Sequence, residues 1–237
     1  MRMAIIGDIH SNLAALESVL KDIGSKNVDF ILCTGDLVGY APFPNEVIEK
    51  LRQAHVLTVQ GNYDEAIGHR RLICGCDYKD EKQLELASLS VGFTNTTITP
   101  DNREYLKNLP RELSLKMTSL SLRIVHGSPR RNNEYLFESS QAVEAVVQEL
   151  EEDILICGHT HIPYHKVIQG KQVINSGSIG KPKHGNPNAT YVIIQVCDSK
   201  VEVQICETGY DVEKTARAIE ANNTLPNEFA QMLRRGM

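Results

Sequence analysis

Short apolar runs that each end on a glycine beside a carboxylate, an amide or an imidazole constrain this sequence more than any other feature. Gly7-Asp8-Ile9-His10-Ser11-Asn12 follows Arg2–Ile6, and Gly35-Asp36-Leu37-Val38-Gly39 follows Val28–Cys33. Gly61-Asn62-Tyr63-Asp64 follows Val56–Val59, His126-Gly127 follows Leu120–Val125, and Gly158-His159-Thr160-His161 follows Ile154–Cys157. Helical patterns separate the first three runs. Leu13–Ile23 places Leu13, Leu16, Val19, Leu20 and Ile23 on one face, with Asn12 as N-cap and Gly24 as stop. Pro42–Arg52 reads as a second helix carrying Val47, Ile48 and Leu51. Strand, helix, strand, helix, strand at this spacing predicts βαβ units and a parallel sheet.

In open α/β sheets the carboxyl ends of parallel strands converge on one crevice. Asp8, His10, Asp36, Asn62, His126, His159 and His161 are therefore predicted to meet in space. Each block alone reads as a turn. Together they supply two carboxylates, one amide and four imidazoles, a donor set for borderline divalent metals and too many donors for one tetrahedral ion. The flanking glycines let backbone approach a crowded site.

The segment Glu65 to Asn108 reads as helical, with Leu84, Leu86, Leu89 and Val91, a start at Thr99-Pro100 and a stop at Pro110. Leu113–Met117 with Leu120–Val125, and Tyr191–Val196 with Val201–Ile205 around Cys197-Asp-Ser-Lys200, are predicted hairpins. Gln141–Leu150, Asp211–Ala221 and the last dozen residues read as helices. No repeat or linker divides the chain. The expectation is one α/β domain over 1–237, its motif-bearing core spanning about 1–206 and a helical extension about 207–237.

Composition narrows the function. Hydrophobic residues at 41% argue against a disordered chain, and a net charge of −5 argues against general attraction to nucleic acid or anionic lipid. Aromatic residues make up only 5%, with no Trp, so no extended nucleic-acid groove is expected. No segment approaches the ~20 apolar residues of a membrane span, and the four-residue apolar run before Gly7 is too short for a signal-peptide core. Cys33 and Cys157 lie in apolar runs and read as reduced core thiols, so a cytoplasmic protein is expected; Cys74-Gly-Cys76 is an isolated pair and weak evidence for metal.

The series GDIHSN, GDLVGY, GNYD, HG and GHTH, with Asn175-Ser-Gly-Ser178 further on, resembles the calcineurin-like metallophosphoesterase superfamily, in its small bacterial and archaeal phosphodiesterase branch. The resemblance implies a four-layer α/β/β/α sandwich, two mixed sheets flanked by helices, with a two-metal site at the strand ends. It implies that Asp8, His10 and His161 bind one divalent ion, that Asn62, His126 and His159 bind a second, and that Asp36 bridges them. The imidazole-rich set favours manganese, iron, zinc or nickel over magnesium or calcium. The implied activity is hydrolysis of a small phosphoester, foremost a phosphodiester, by a hydroxide shared between the ions. Asp8, Asp36, Asn62, Tyr63 and His126 are then the catalytic set. Alternatives are a phosphomonoesterase or nucleotide pyrophosphohydrolase, or a catalytically weak or inactive binding scaffold on the same fold.

One position departs from the family pattern. Many members carry His after the third-block Asn, where it contacts phosphate and can protonate the leaving group; here Tyr63 stands in its place. A phenol with a pKa near ~10 donates a hydrogen bond but shuttles protons poorly at neutral pH. Arg130 and Arg131, close after His126, are the expected phosphate-holding cations, with Asn12 and Ser178 as further substrate contacts. Lys181-Pro-Lys183-His184 reads as a flexible basic loop over the site. The sequence leaves the oligomeric state and the role of the residues after Cys206 open.

Overall fold

Alternation along the strands explains the layers. In the computed structural model, which describes residues 1–117, 119–198 and 200–237, β1 (Arg2–Ile6) turns Met3 and Ile5 to one face and Ala4 and Ile6 to the other. The first pair joins a core between two sheets; the second packs against α1 (Leu13–Ile23), β2 (Phe30–Cys33) and α2 (Pro44–Gln53). After β3 (Leu57–Thr58) come three helices, α3 (Asn62–Gly68), α4 (Glu81–Thr97) and α5 (Pro100–Lys107). The second sheet is built from β4 (Glu112–Lys116), β5 (Ser121–Val125), β6 (Ile154–Cys157), β7 (Tyr164–Ile168) and β8 (Lys171–Asn175). Its strand β6 faces Ile154 and Ile156 inward, and turns Leu155 and Cys157 out to α6 (Gln141–Glu149). The chain closes with β9 (Ala189–Cys197), β10 (Lys200–Thr208), α7 (Val212–Glu220) and α8 (Asn227–Arg235).

The sheets run β10-β9-β1-β2-β3 and β4-β5-β6-β8-β7. β1 pairs parallel with β2 and antiparallel with β9; β6 pairs parallel with both β5 and β8. Both sheets are mixed, and helices cover their outer faces, which is the four-layer sandwich expected. No helix among the described residues is long and apolar enough to cross a membrane.

One local expectation is corrected. The stretch from Glu65 to Asn108 is not continuously helical: residues 69–80 form a loop, in which Gly75 takes a φ of 78°. Within α4, Leu86 and Val91 are buried while Leu84 and Leu89 are exposed. β9 is covered on both faces, by the opposing sheet and by α1, so its residues are apolar nearly throughout. The β7–β8 hairpin was not expected. Its two-residue turn, Gln169-Gly170, has φ values of 52° and 81°, and that left-handed pair matches the twist of the flanking strands. The hairpin turns expected near 118 and across 197–200 include residues 118 and 199, which lie outside the described residues.

Candidate metal centre

The strand-end residues converge as expected. Asp8, His10, Asp36, Asn62, His126, His159 and His161 are all buried at the carboxyl ends of β1, β2, β3, β5 and β6. They form two clusters, Asp8 with His10 and His161, and Asp36 with His126 and His159. Asn62 joins the second, its Oδ1 lying 2.9 Å from His126 Nε2. Asp36 faces both: its Oδ2 is 3.7 Å from His10 Nε2 and 3.4 Å from His126 Nε2.

The hydrogen bonds around the clusters decide what the clusters can hold. His10 Nδ1 donates to the Val38 carbonyl at 3.0 Å, His126 Nδ1 to the Thr34 carbonyl at 2.8 Å, and His161 Nδ1 to the Lys181 carbonyl. A carbonyl accepts only, so each of these rings carries a proton on Nδ1 and, when neutral, presents a bare lone pair at Nε2. Those lone pairs point at one another and at carboxylates. His10 Nε2 lies 3.3 Å from His161 Nε2, and His161 Nε2 lies 3.2 Å from Asp8 Oδ1. His126 Nε2 lies 3.1 Å from His159 Nδ1. The Asn62 amide nitrogen is occupied with the Cys74 carbonyl and Cys76 Sγ, at 3.0 and 3.2 Å, which fixes its oxygen toward His126. Among His10, His161 and Asp8, acceptors converge on acceptors and repel unless a cation lies among them. Among the described residues, Asp8 Oδ1 and His159 Nε2 are in addition buried with no hydrogen-bond partner. The donor set therefore fits divalent metal ions.

Burial sets the protonation of these groups. It raises the Asp8 carboxyl above its ordinary range and lowers His10 to about 3. It holds His159 and His161 well below the usual imidazole value. Burial also opposes charge on His126, but the Asp36 and Asp8 carboxylates outweigh it and push that ring up to about 9. A proton on His126 thus does the work that a cation does more fully. Asp64 lies behind the clusters: it accepts from the backbone N–H of Asp36, Leu37 and Gly61 at 2.8–2.9 Å and clamps the second and third blocks together.

Backbone strain gathers at the same residues. Asp8, His10, Asp36, His159 and His161 all have positive φ, between 48° and 65°. Non-glycine residues rarely adopt that region, and tight loops at functional sites are where it persists. Glycines make the close approach possible. A Cβ on Gly61 would lie 2.1 Å from Asp36 Oδ1, and one on Gly158 would lie 2.6 Å from Asp8 Oδ2. Gly61→Ala is expected to lower stability by ~1–3 kcal/mol through overpacking. A melting scan reads this as a loss of several degrees, at about 2–4 °C per kcal/mol for a chain of this size; unchanged melting would contradict the close approach.

Both clusters open into a cavity of about 550 Å³. The substrate contacts expected from sequence are not on its wall. Arg130 is held by Glu134 at 2.7 and 3.1 Å, and Arg131 is 70% exposed beside the same carboxylate. Asn12 caps α1 and ties it to Gly180 and Tyr210. Ser178 donates to the Asp8 carbonyl at 2.7 Å and so braces the first block. Lys181 and Lys183 line the cavity instead, in a segment pinned to His161 through the Lys181 carbonyl, and Lys181 Nζ sits 4.7 Å from the Tyr40 ring centre. Rings pack on the imidazoles, and of these sequence reading missed Tyr135. Tyr40 stands edge-on to His10 at 5.0 Å, and Tyr135 lies over His159 at 4.1 Å. Tyr63 lines the cavity, 5.3 Å from His10, with its hydroxyl buried and unpartnered.

Residues 1–199 match the model of the calcineurin-like phosphoesterase superfamily domain. The uncharacterised protein MJ0912 of Methanocaldococcus jannaschii is 31% identical over 98% of this chain and 96% of its own length. The phosphodiesterase YfcE of Escherichia coli K12 is 25% identical, covering 86% of this chain and 97% of its own. The crystal structure of a metallophosphoesterase from Sphaerobacter thermophilus superposes with a TM-score of 0.81 at 28% identity, over 100% of this chain and 99% of that one.

Proposed function

The chain belongs to the calcineurin-like phosphoesterase superfamily of metal-dependent phosphoester hydrolases, and on that premise we propose that it is a phosphodiesterase working with two divalent metal ions. Asp8, His10 and His161 would hold one ion, and Asn62, His126 and His159 the other, with Asp36 shared. The observation that carries this reading is the convergence of bare imidazole nitrogens and carboxylate oxygens in two adjoining sets with Asp36 Oδ2 between them. All seven donors are present and brought together, which favours an enzyme over a scaffold that keeps only the fold.

Bound there, two divalent cations supply Lewis acidity that activates water and neutralises charge developing on a phosphoryl group. The imidazole set favours manganese, iron, zinc or nickel. The chain's own residues do the rest. Backbone carbonyls hold His10, His126 and His161 in the metal-binding tautomer. The Tyr63 N–H fixes Asp36 through Oδ1 at 2.8 Å and leaves Oδ2 facing both clusters. Lys181 and Lys183 stand at the cavity to meet an anionic substrate; burial lowers both, Lys181 to about 7, so a bound anion would favour their charged forms. Burial, together with the neighbouring Tyr40, pushes the Tyr63 phenol well above its ordinary value. It therefore stays protonated, able to donate to a phosphoryl oxygen but unsuited to giving up its proton to a leaving group.

Leaving-group choice follows. Diesters with good leaving groups need little general acid, which elsewhere is worth ~10²–10⁴-fold. Tyr63→His is therefore expected to raise p-nitrophenyl phosphate and alkyl phosphate hydrolysis, by as much as ~10²-fold for the poorer leaving group. Rates unchanged on every ester would make Tyr63 a packing residue. The reading as a whole is tested with bis-p-nitrophenyl phosphate and p-nitrophenyl phosphate, each with and without manganese. Manganese-dependent turnover that favours the diester is expected. Absence of turnover with manganese, iron, zinc and nickel, despite bound metal, would overturn it.

A further inference from the structure

The lining of the cavity is aromatic to a degree that the composition does not lead one to expect. Six of the chain's eight tyrosines and five phenylalanines lie on it: Tyr40, Tyr63, Tyr78, Tyr135, Phe137 and Phe229. Tyr135 and Phe137 are nearly parallel, their planes 5° apart and their centres 5.5 Å apart. Tyr40 meets Phe229 edge-on at 5.1 Å. Polar side chains on the wall, Gln83 and Asp77, offer a donor and an acceptor for a ring edge.

Part of this wall comes from beyond the matched family domain, which ends at residue 199. Helix α8 contributes Phe229 and Met232, and the terminal Met237 joins them. The α7–α8 pair is anchored rather than loose. Arg234 binds Glu213 at 2.7 and 2.9 Å and also reaches Glu220. Thr215 donates to Asn12 at 2.8 Å, and Ala216, Ile219, Phe229 and Leu233 close a core of their own against Ala41 and Leu86. The terminal helices thus complete the pocket rather than decorate the surface.

We infer that the cavity is a subsite for a nucleobase, so that the phosphoester hydrolysed carries a nucleoside with its ring against this aromatic wall and its phosphate toward the clusters. This rests on the phosphoester reading above and goes beyond it in naming the substrate class. Charge and shape both argue for that occupant. The candidate metal ligands and two lysines in the lining suit a phosphate, and the rings among the other lining residues, Phe137 and Phe229 with Tyr78, suit stacking, which is sequence-tolerant because every base has a π-face.

Calorimetric titration of the manganese-loaded protein with adenosine 5′-monophosphate and with ribose 5-phosphate isolates the base, since the two share sugar and phosphate. Adenosine 5′-monophosphate is expected to bind about tenfold more tightly. Phe137→Ala and Met232→Gln, one on the loop and one on α8, are expected to remove most of that difference while leaving ribose 5-phosphate affinity, metal content and melting unchanged. On the catalytic side, both variants are expected to raise KM for thymidine 5′-p-nitrophenyl phosphate, and neither to change kinetics on methyl p-nitrophenyl phosphate. Equal affinity for the two monophosphates, a base preference untouched by either variant, or tighter binding of octyl phosphate would overturn the nucleobase subsite and leave the phosphoester reading standing. Failure of all these phosphates to bind would overturn both.

Discussion

Asp36→Asn is expected to lower kcat/KM toward bis-p-nitrophenyl phosphate by about 10³-fold, the equivalent of about 4 kcal/mol of transition-state stabilisation at ~1.4 kcal/mol per tenfold. The geometry says why so small a change does so much. Asp36 Oδ1 accepts the Tyr63 N–H at 2.8 Å, so the asparagine must keep its oxygen there. Its amide nitrogen then takes the place of Oδ2, facing His10 Nε2 and His126 Nε2, which stand 3.7 and 3.4 Å away. A shared ligand becomes a donor that satisfies two imidazole lone pairs. The variant is therefore expected to fold, to melt without added metal at least as high as the metal-free parent, and to lose activity and metal together. Steady-state kinetics paired with a melting scan check this. Loss of activity with metal content intact, or collapse of the fold, would remove Asp36 from its shared position.

Chelation is the second large effect. Metal that binds only the folded chain stabilises it by about 4 kcal/mol when free metal is ~1,000 times its dissociation constant. At about 2–4 °C per kcal/mol, removing it lowers the melting temperature by roughly 10 °C. The direction follows from the clusters themselves. Without a cation, Asp8 Oδ1 and His159 Nε2 are buried and unpaired, and the His10 and His161 nitrogens face each other at 3.3 Å. EDTA followed by calorimetry reads the loss, and excess manganese is expected to restore it. The Asp36→Asn variant is expected to respond far less to both. A parent protein whose melting ignores chelation would contradict the fit of the clusters to metal.

The candidate metal-binding set was legible in the sequence because its seven members follow five strands, Asp8 with His10 and His159 with His161 sharing one strand each. An apolar run, a glycine and a polar residue are local signals, and the parallel arrangement of β1 with β2, and of β5 with β6, brings the strand ends together. The pocket wall was not legible. Tyr135, Phe137 and Phe229 carry no local pattern that separates a ring on a cavity from a ring in a core; only the packing of the 69–80 loop, α4 and α8 makes them neighbours. Which cations line the cavity was legible only in part, for a related reason. Arg130 and Arg131 follow His126 in sequence, but Glu134, one helical turn on, draws them away, whereas Lys181 and Lys183 reach the site because the His161 ring binds the Lys181 carbonyl. The β7–β8 hairpin did leave a trace. Gln169-Gly170 between Tyr164–Ile168 and Lys171–Asn175 is a two-residue turn signal, and its strands place the Asn175–Ser178 segment beside Gly158 and Asp8.

Asp8, Asp36 and their imidazole partners are expected to hold two neighbouring cations. Crystals grown with manganese and measured at a wavelength where manganese scatters anomalously test this. Two peaks per chain are expected, one among Asp8, His10 and His161, the other among Asn62, His126 and His159, with Asp36 touching both. A single peak, or peaks remote from Asp36, would contradict it.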